Sequence, residues 1–467
     1  MFKKLLVYCF LCLNFYSFSQ YLNEFYVKNI GTVDLFNNLN YLASNKLQGR
    51  KTGQKGQKKA AIFIAAQFKK SGVAPFPGKD YYQKFNLLQK KKSGSMTFDN
   101  KNYHFPKDFG FKSLYQKLDF DVKSVFYISG KDLIATKTNF NNEFVLIEID
   151  DIQSFDFELV ENIRTKGVLF LVNNYKADNY ESLQTKDLAM IQETVKIPMI
   201  FLNKKNLPSA FVQSLILNQS NKFSMGFHLN GNEKFKSTEN VIGFIEGSDP
   251  VLKNEVIVIS AHYDHLGVEK RKVFNGADDN GSGTTALLEI AQAFQEAKKD
   301  GKNPKRSILF IALTGEEMGL FGSSYYVSNP WVPLKNTIAD INIDMIGRAS
   351  NPNEKENFSV YVIGSNMLSD DLHNAQELAN KQYTKLNLDY MYNDVNEPLR
   401  LYYRSDHFNF AKNGIPSVFY FGGFHDDYHK STDDIESINF KKIEQISKMV
   451  FHTTWMLGNA EKRPALK

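Results

Sequence analysis

Continuous apolar runs, each followed by acidic or histidine residues, constrain the fold of this chain more than any other feature. Residues 255–260 read EVIVIS and residues 307–313 read SILFIAL, without the polar alternation of a half-exposed strand. Such runs are typical of strands that are buried on both faces. Between the two runs, Leu287, Ile290 and Phe294 share one face of a predicted helix. The sequence therefore predicts an α/β fold with a mostly parallel sheet sandwiched by helices.

Three further apolar runs extend this predicted sheet. They are TIADINIDMI (337–346), FSVYVIG (358–364) and PSVFYF (416–421). In a sheet of this kind, ligand groups collect outside the carboxyl ends of the strands. The acidic and histidine clusters of the second half each follow an apolar run, so we expect the fold to bring them together.

The 467 residues exceed one typical domain, and the character of the sequence changes twice along the chain. Residues 20–105 include an amphipathic helix before Gly72, and we predict that they form the N-terminal part of the domain that contains this sheet. Residues 236–467 are predicted to be its main part. Residues 106–235 are predicted to be an inserted small β-rich α/β domain with a helix around 157–165. Its candidate strands are residues 124–128, 143–149, 167–172 and 197–202.

The first nineteen residues have the pattern of a secretory signal peptide. A basic start at Lys3 and Lys4 precedes a short apolar stretch, and Ser19 is placed for cleavage. An uncleaved amphipathic anchor is the alternative. Both cysteines, Cys9 and Cys12, fall inside this segment. The sequence therefore predicts an exported protein, periplasmic or secreted, whose mature chain has no disulfide and binds metals through histidine and carboxylate only.

The charge pattern argues against nucleic-acid binding, and the lengths of the apolar stretches argue against membrane insertion. The net charge of +6 is spread over lysines in loop-like sequence such as residues 298–306. Nucleic-acid binding would need basic residues clustered with exposed aromatics, so none is expected. No later apolar stretch has the length of a membrane span, so no stable membrane insertion is expected after signal cleavage. The sequence leaves the oligomeric state open.

Side chains that can bind metals recur in five motifs of the second half. They are His262 and Asp264 in SAHYDH, Asp278 and Asp279 in GADDNGSG, Glu316 and Glu317 in LTGEE, Asp344 in INIDMIG, and His429 in YHKSTDD. Hydrolytic zinc sites use histidine nitrogen and carboxylate oxygen and keep a position for water. When two zinc ions lie about 3.5 to 4 Å apart, one carboxylate can bridge them. These residues alone leave open which member of each acidic pair has which role.

In their residues and in their order, five motifs resemble those of the zinc aminopeptidases related to bacterial leucine aminopeptidases and aminopeptidase Y. The motifs are HYDH, GADDNGSG, LTGEEMGLFGSSYY, INIDMIG and YHKSTDD. The resemblance covers residues 240 to 435, about half of the chain. It implies a zinc-exopeptidase fold of the phosphorylase/hydrolase-like type, two zinc ions per chain, and a peptide substrate that loses its N-terminal residue.

The resemblance also implies a role for each site residue. His262 and Asp344 would bind one zinc, Glu317 and His429 the other, and Asp279 would bridge them. Glu316 would be the general base for a water shared by both ions. Asp264 would orient the His262 ring, Tyr428 would stabilise the oxyanion, and the Asp279–Asn280 peptide bond would be cis.

Several alternatives stay open at this point. The same scaffold occurs in one-zinc glutaminyl cyclases, which are acyltransferases, in zinc carboxypeptidases, and in binding homologues without activity. The run Ser405-Asp406-His407 suggests a serine hydrolase, but three consecutive residues cannot assemble a catalytic triad. By position and strand pattern, residues 106–235 resemble the protease-associated domain found within many such peptidases.

Overall fold

A computed structural model describes residues 24–467 except 113–116, 130–138, 141–142, 153–154, 156–159, 161–162, 178–188, 191–196 and 349–357. The chain divides into two compact units. One unit contains the residues before 86 together with residues 237–467, and the other is residues 86–236. The inserted unit therefore begins earlier than the predicted residue 106, because a single long strand runs from residue 82 to residue 98.

The elements are given in chain order. The strands are β1 (Tyr82–Phe98), β2 (Lys101–His104), β3 (Phe109–Lys112), β4 (Lys117–Ser129), β5 (Phe144–Ile149), β6 (Gly167–Val172), β7 (Ala189–Met190), β8 (Met199–Asn203), β9 (Gln219–Ile245), β10 (Val256–His262), β11 (Gly267–Glu269), β12 (Lys272–Phe274), β13 (Ser307–Leu313), β14 (Thr337–Asp344), β15 (Ser359–Ile363), β16 (Asn387–Asp389) and β17 (Ser417–Phe421). The α-helices are α1 (Thr32–Leu42), α2 (Lys55–Ser71), α3 (Ser209–Ser214), α4 (Gly283–Lys299), α5 (Phe321–Ser328), α6 (Asp370–Ala379), α7 (His407–Lys412) and α8 (Phe440–Asn459).

The sheet of the first unit is mostly parallel, as predicted. Strand β10 lies between β13 and β14 and is parallel to both, and β14 is parallel to β17. The C-terminal part of β9 pairs antiparallel with β13, and β15 pairs antiparallel with β17. Every residue of β10, β13 and β14 is buried. Helices therefore cover both faces of these central strands, which explains the continuous apolar runs of β10 and β13. Strand β14 instead alternates apolar residues with the buried polar residues Asp340, Asn342 and Asp344.

Helices α4 and α8 form much of the core of this unit. Leu287, Ile290 and Phe294 of α4 are fully buried, as their spacing predicted. The Phe294 ring stacks on Phe451 of α8 at a centroid distance of 4.3 Å. Burying a side chain of this size contributes roughly 1.5 to 3 kcal/mol to folding. This packing fixes α4, whose N-terminus begins directly after the acidic motif at residues 276–282.

The inserted unit is β-rich, with strand order β9-β4-β5-β6-β8-β3. Strands β4, β5, β6 and β8 are mutually parallel, while β9 and β3 are antiparallel to their neighbours. All four predicted strands of this region are present. The predicted helix around 157–165 lies mostly outside the described residues.

The predicted signal peptide also lies outside the described residues. Within the part of the chain that the structure describes, no helix combines the length and the apolar character that crossing a bilayer requires.

The buried carboxyl group of Glu289, in α4, should make the free energy of unfolding depend on pH. Its side chain is almost fully buried, and only one carboxylate oxygen, Oε1, has a partner among the described residues, the Asn38 amide at 2.8 Å. Burial, with a smaller contribution from Asp34, raises the pKa of Glu289 from 4.5 to about 8. The folded state therefore holds a proton that the unfolded state releases near its ordinary pKa.

At pH values below the unfolded-state pKa of 4.5, this group makes its full contribution to stability. The contribution is lost as the pH rises through the folded-state pKa of about 8. We expect the free energy of unfolding to fall between about pH 5 and pH 8, by up to about 1.4 kcal/mol per pH unit from this group. Glu289→Gln should remove this part of the slope in denaturant titrations at several pH values. Glu296→Gln, at a half-buried position of the same helix, is the matched control. Equal slopes in wild type and Glu289→Gln would contradict the prediction.

Candidate metal centre

The carboxyl ends of three parallel strands bring the predicted ligands to one edge of the sheet. His262 is the last residue of β10, and Asp344 is the last residue of β14. In the neighbouring strand, Leu313 pairs with His262, so Glu316 and Glu317 follow immediately beyond that edge. The parallel register therefore places these four side chains together, as the sequence predicted.

The acidic motif reaches the same edge through a tight turn at residues 277–282. The Asp279–Asn280 peptide bond is cis, as the family resemblance implied. The Asn280 amide donates to the carbonyl oxygen of Ile343 at 2.8 Å, and its Oδ1 accepts from the backbone N–H of Met345. The Asp433 carboxylate accepts from the backbone N–H of Asp279 at 3.1 Å. These bonds fix the backbone on both sides of the Asp279 carboxylate.

The two oxygens of Asp279 face two different histidines. Oδ1 lies 3.5 Å from His262 Nε2, and Oδ2 lies 3.2 Å from His429 Nε2. His262 Nε2 also lies 3.2 Å from Asp344 Oδ1, and His429 Nε2 lies 3.2 Å from Glu317 Oε2. Ligand atoms bound at about 2.0 to 2.2 Å to a tetrahedral zinc are about 3.3 to 3.6 Å apart. The spacings therefore fit two metal positions that share Asp279.

Glu316 and Glu317, although adjacent in the chain, have different surroundings. The nearest histidine nitrogen to Glu316 is His262 Nε2, at 3.9 Å from Oε2. Burial raises the pKa of Glu316 well above its ordinary value, with His262 opposing and Asp344 reinforcing the shift. Burial would also raise the pKa of Glu317, but His265 and His429 lower it well below its ordinary value. Such a separation is typical of neighbouring carboxylates with different roles.

Asp264 lies next to His262, with its carboxylate beyond hydrogen-bond distance of the His262 ring. The backbone carbonyl of Asp264, at 3.3 Å, is the group closest to His262 Nδ1, whereas the carboxylate oxygen is 3.8 Å away. The carboxylate instead accepts from the Thr52 hydroxyl at 2.6 Å and from the backbone N–H of Glu316 at 3.2 Å. Strand β10 ends at His262, so Asp264 is free to turn toward the loop that carries Glu316.

The remaining predicted residues are also near the site. The Tyr428 ring stacks on His429 at a centroid distance of 3.9 Å. The Ser405 hydroxyl donates to Asp344 Oδ2 at 2.8 Å, while Asp406 accepts from Ser323 and the His407 ring stacks on Phe419. The three residues of this run therefore have three different surroundings and form no triad.

His265 is a site residue that the sequence reasoning missed. Its Nδ1 lies 2.6 Å from Glu317 Oε1, and its side chain is fully buried. Together, His265, Asp279 and Glu317 offer ligand atoms within 4.8 Å of one another, as do His262, Glu316 and Asp344. The second histidine of SAHYDH was the available signal.

Arg50 is a second missed residue, and it supports the backbone around the site. Its guanidinium is buried and donates to the carbonyl oxygens of Tyr263 at 2.7 Å, Asn275 at 2.5 Å and Gly276 at 2.9 Å. Burial lowers the pKa of Arg50 to about 10, against the opposing effect of nearby carboxylates such as Asp279. The group therefore stays cationic at neutral pH beside an acidic cluster.

Solved structures of two aminopeptidases have the same fold. An aminopeptidase from Aneurinibacillus sp. strain AM-1 gives a TM-score of 0.52 over 94% of this chain and 97% of its own, at 17% identity. BSAP, a zinc aminopeptidase from Bacillus subtilis, gives a TM-score of 0.51 over 93% of this chain and 96% of its own, at 19% identity. At these identities the similarity establishes the α/β fold of this class of peptidases and nothing more.

Sequence comparison gives a family match for the second half of the chain. Residues 240–454 match Peptidase family M28. Aminopeptidase YwaD of Bacillus subtilis (strain 168) is 29% identical over 236 residues, which are 49% of this chain and 47% of the relative. The chain is therefore similar to peptidase family M28 over residues 240–454. It spans about half the length of the curated relatives that it matches.

Proposed function

We propose that this protein is a zinc-dependent exopeptidase, and specifically an aminopeptidase that hydrolyses N-terminal residues from peptides. The observation that supports this most strongly is the geometry of Asp279, whose two oxygens face His262 and His429 at distances suited to two separate zinc ions. The choice of the N-terminal end is supported by the names of similar proteins, which include aminopeptidases of two bacteria.

In this proposal, His262 and Asp344 hold one zinc ion, Glu317 and His429 hold the other, and Asp279 contacts both. Bound zinc would lower the pKa of water and polarise the scissile carbonyl. The ligand set contains histidine nitrogen and carboxylate oxygen only, which is the donor chemistry of catalytic zinc sites.

Glu316 would accept the proton of the attacking water and then donate it to the leaving amine. A general base should be near the metal without being one of its ligands, and Glu316 Oε2 is farther from His262 Nε2 than the proposed ligand atoms are. Tyr428, next to His429, would stabilise the oxyanion. Asp264, whose Oδ1 lies 3.8 Å from His262 Nδ1, would orient the His262 ring.

A metal-removal experiment tests the proposal. The protein, expressed with its own N-terminus, would be assayed on aminoacyl and longer peptide substrates before and after treatment with a chelator, and its zinc content measured. We expect two zinc ions per chain, loss of nearly all activity on chelation, and recovery on adding zinc. N-terminal sequencing of the exported protein should show a start after Ser19.

Each alternative gives a different result in the same experiment. One zinc ion with cyclisation of an N-terminal glutamine peptide would indicate a glutaminyl cyclase. Release of C-terminal residues would indicate a carboxypeptidase. Two bound zinc ions without turnover of any substrate would indicate a binding homologue, and an intact Met1 would contradict export by signal cleavage.

A further inference from the structure

The buried ring of His265 occupies one side of the Glu317 carboxylate. Nδ1 lies 2.6 Å from Glu317 Oε1 and 3.8 Å from Asp279 Oδ2. An ionised carboxylate only accepts hydrogen bonds, so Nδ1 must carry the proton and donate it to Oε1. At this distance the interaction is a charge-assisted hydrogen bond, which is stronger than one between neutral groups.

The same distance argues against His265 as a ligand of the metal that Glu317 would bind. Two atoms bound to one tetrahedral zinc are about 3.3 to 3.6 Å apart, so 2.6 Å between His265 Nδ1 and Glu317 Oε1 is too short. A nitrogen that holds a proton also has no lone pair to offer a metal. By contrast, Glu317 Oε2 is 3.2 Å from His429 Nε2, a spacing that two ligands of one zinc can have. The two oxygens of Glu317 therefore have separate partners.

A glycine makes room for the His265 ring. Gly276 has a φ of +56°, and a Cβ at this position would lie 2.5 Å from both Cγ and Cδ2 of His265. The Arg50 guanidinium donates to the carbonyl oxygen of Gly276 and to that of Tyr263, two residues before His265. The backbone on both sides of the ring is thus tied to one buried cation. Ring rotation away from Glu317 is restricted by this packing.

We propose that His265 is a positioning residue for the second metal position, the one formed by Glu317, His429 and Asp279. By holding Oε1 of Glu317, it leaves Oε2 as the single oxygen that faces the metal. The first position, formed by His262 and Asp344, has no such contact with His265 among the described residues. Loss of His265 should therefore weaken one metal position selectively. This inference rests on the proposed two-zinc function.

Mutation of a residue that is hydrogen-bonded to a metal ligand typically lowers metal affinity by about 10- to 100-fold. His265→Phe fills a similar volume without a donor, and His265→Gln restores an N–H donor. We expect His265→Phe to bind the first zinc ion normally and the second about 10- to 100-fold more weakly, with partial recovery in His265→Gln. The measurement is a zinc titration in competition with a chelator of known affinity.

His452→Phe is the matched control, because His452 is a buried histidine of α8 whose ring stacks on Tyr383. It should leave both zinc affinities unchanged. Thermal unfolding of the zinc-free proteins shows whether each variant is folded, and His265→Leu, which also has no donor, replaces His265→Phe if the latter is not folded.

Two results would overturn the inference. Wild-type affinity for both ions in folded His265→Phe, or equal weakening of both ions, would mean that His265 does not position the second site. A wild-type protein that binds fewer than two zinc ions would instead overturn the proposed function, and the inference with it. The wild-type titration therefore separates the two failures.

Discussion

Glu316→Gln is expected to lower kcat by about 10²- to 10⁴-fold while both zinc ions remain bound. The glutamine side chain has nearly the same volume and retains an oxygen, but it cannot accept and release a proton at neutral pH. Glu316 lies outside the ligand pairs at 3.2 Å, so the metal positions should keep their ligands. The measurements are steady-state kinetics on a peptide substrate and zinc content after gel filtration.

Glu317→Gln is the matched control, because the same change one residue later should reduce zinc binding, whereas Glu316→Gln should leave it unchanged. It removes a carboxylate that lies 3.2 Å from His429 Nε2 and 2.6 Å from His265 Nδ1. Zinc content should fall toward one ion per chain, and part of the lost activity should return in excess zinc. Added zinc should not restore Glu316→Gln. Near wild-type kcat in Glu316→Gln would exclude Glu316 as the general base.

The sheet could be predicted from sequence because burial on both faces leaves a strong local signal. Every residue of β10, β13 and β14 is buried, and β10 and β13 are mostly continuous apolar runs that end where the ligands begin. The start of the inserted unit was less predictable. Strand β1 runs through residue 86 without a turn signal, and only the contacts of the folded chain show where the unit begins.

The predicted ligands are together in the structure because parallel strands deliver consecutive motifs to one edge. Their supporting residues could not be found in this way. Arg50 acts through backbone carbonyl groups, which have no sequence signature, and it is more than 200 positions from Tyr263. His265 is in the same motif as His262, which matches the ligand position of the family. Only the distances in the structure show that His265 is a hydrogen-bond donor and not a metal ligand.

Asp279→Asn is expected to reduce kcat/KM by at least about 100-fold and to leave no more than one tightly bound zinc ion. The substitution keeps the size of the side chain, but an amide NH₂ group cannot bind zinc. Whichever way the amide is oriented, either the oxygen that faces His262 or the oxygen that faces His429 is replaced. One metal position must therefore lose a ligand, and the two positions lose their shared anion.

Asp278→Asn is the control for this experiment, since the two aspartates are adjacent and only the family resemblance distinguished them in the sequence. Asp278 Oδ1 accepts from the backbone N–H of Gly347 at 2.5 Å, and an asparagine oxygen can keep that bond. Its other oxygen is near His425, at 3.4 Å, rather than near His262 or His429. Asp278→Asn should therefore retain two zinc ions and most activity. If Asp278→Asn lost zinc while Asp279→Asn kept both ions, the bridge would belong to Asp278. The assignment of one metal position to each oxygen of Asp279 would then be wrong.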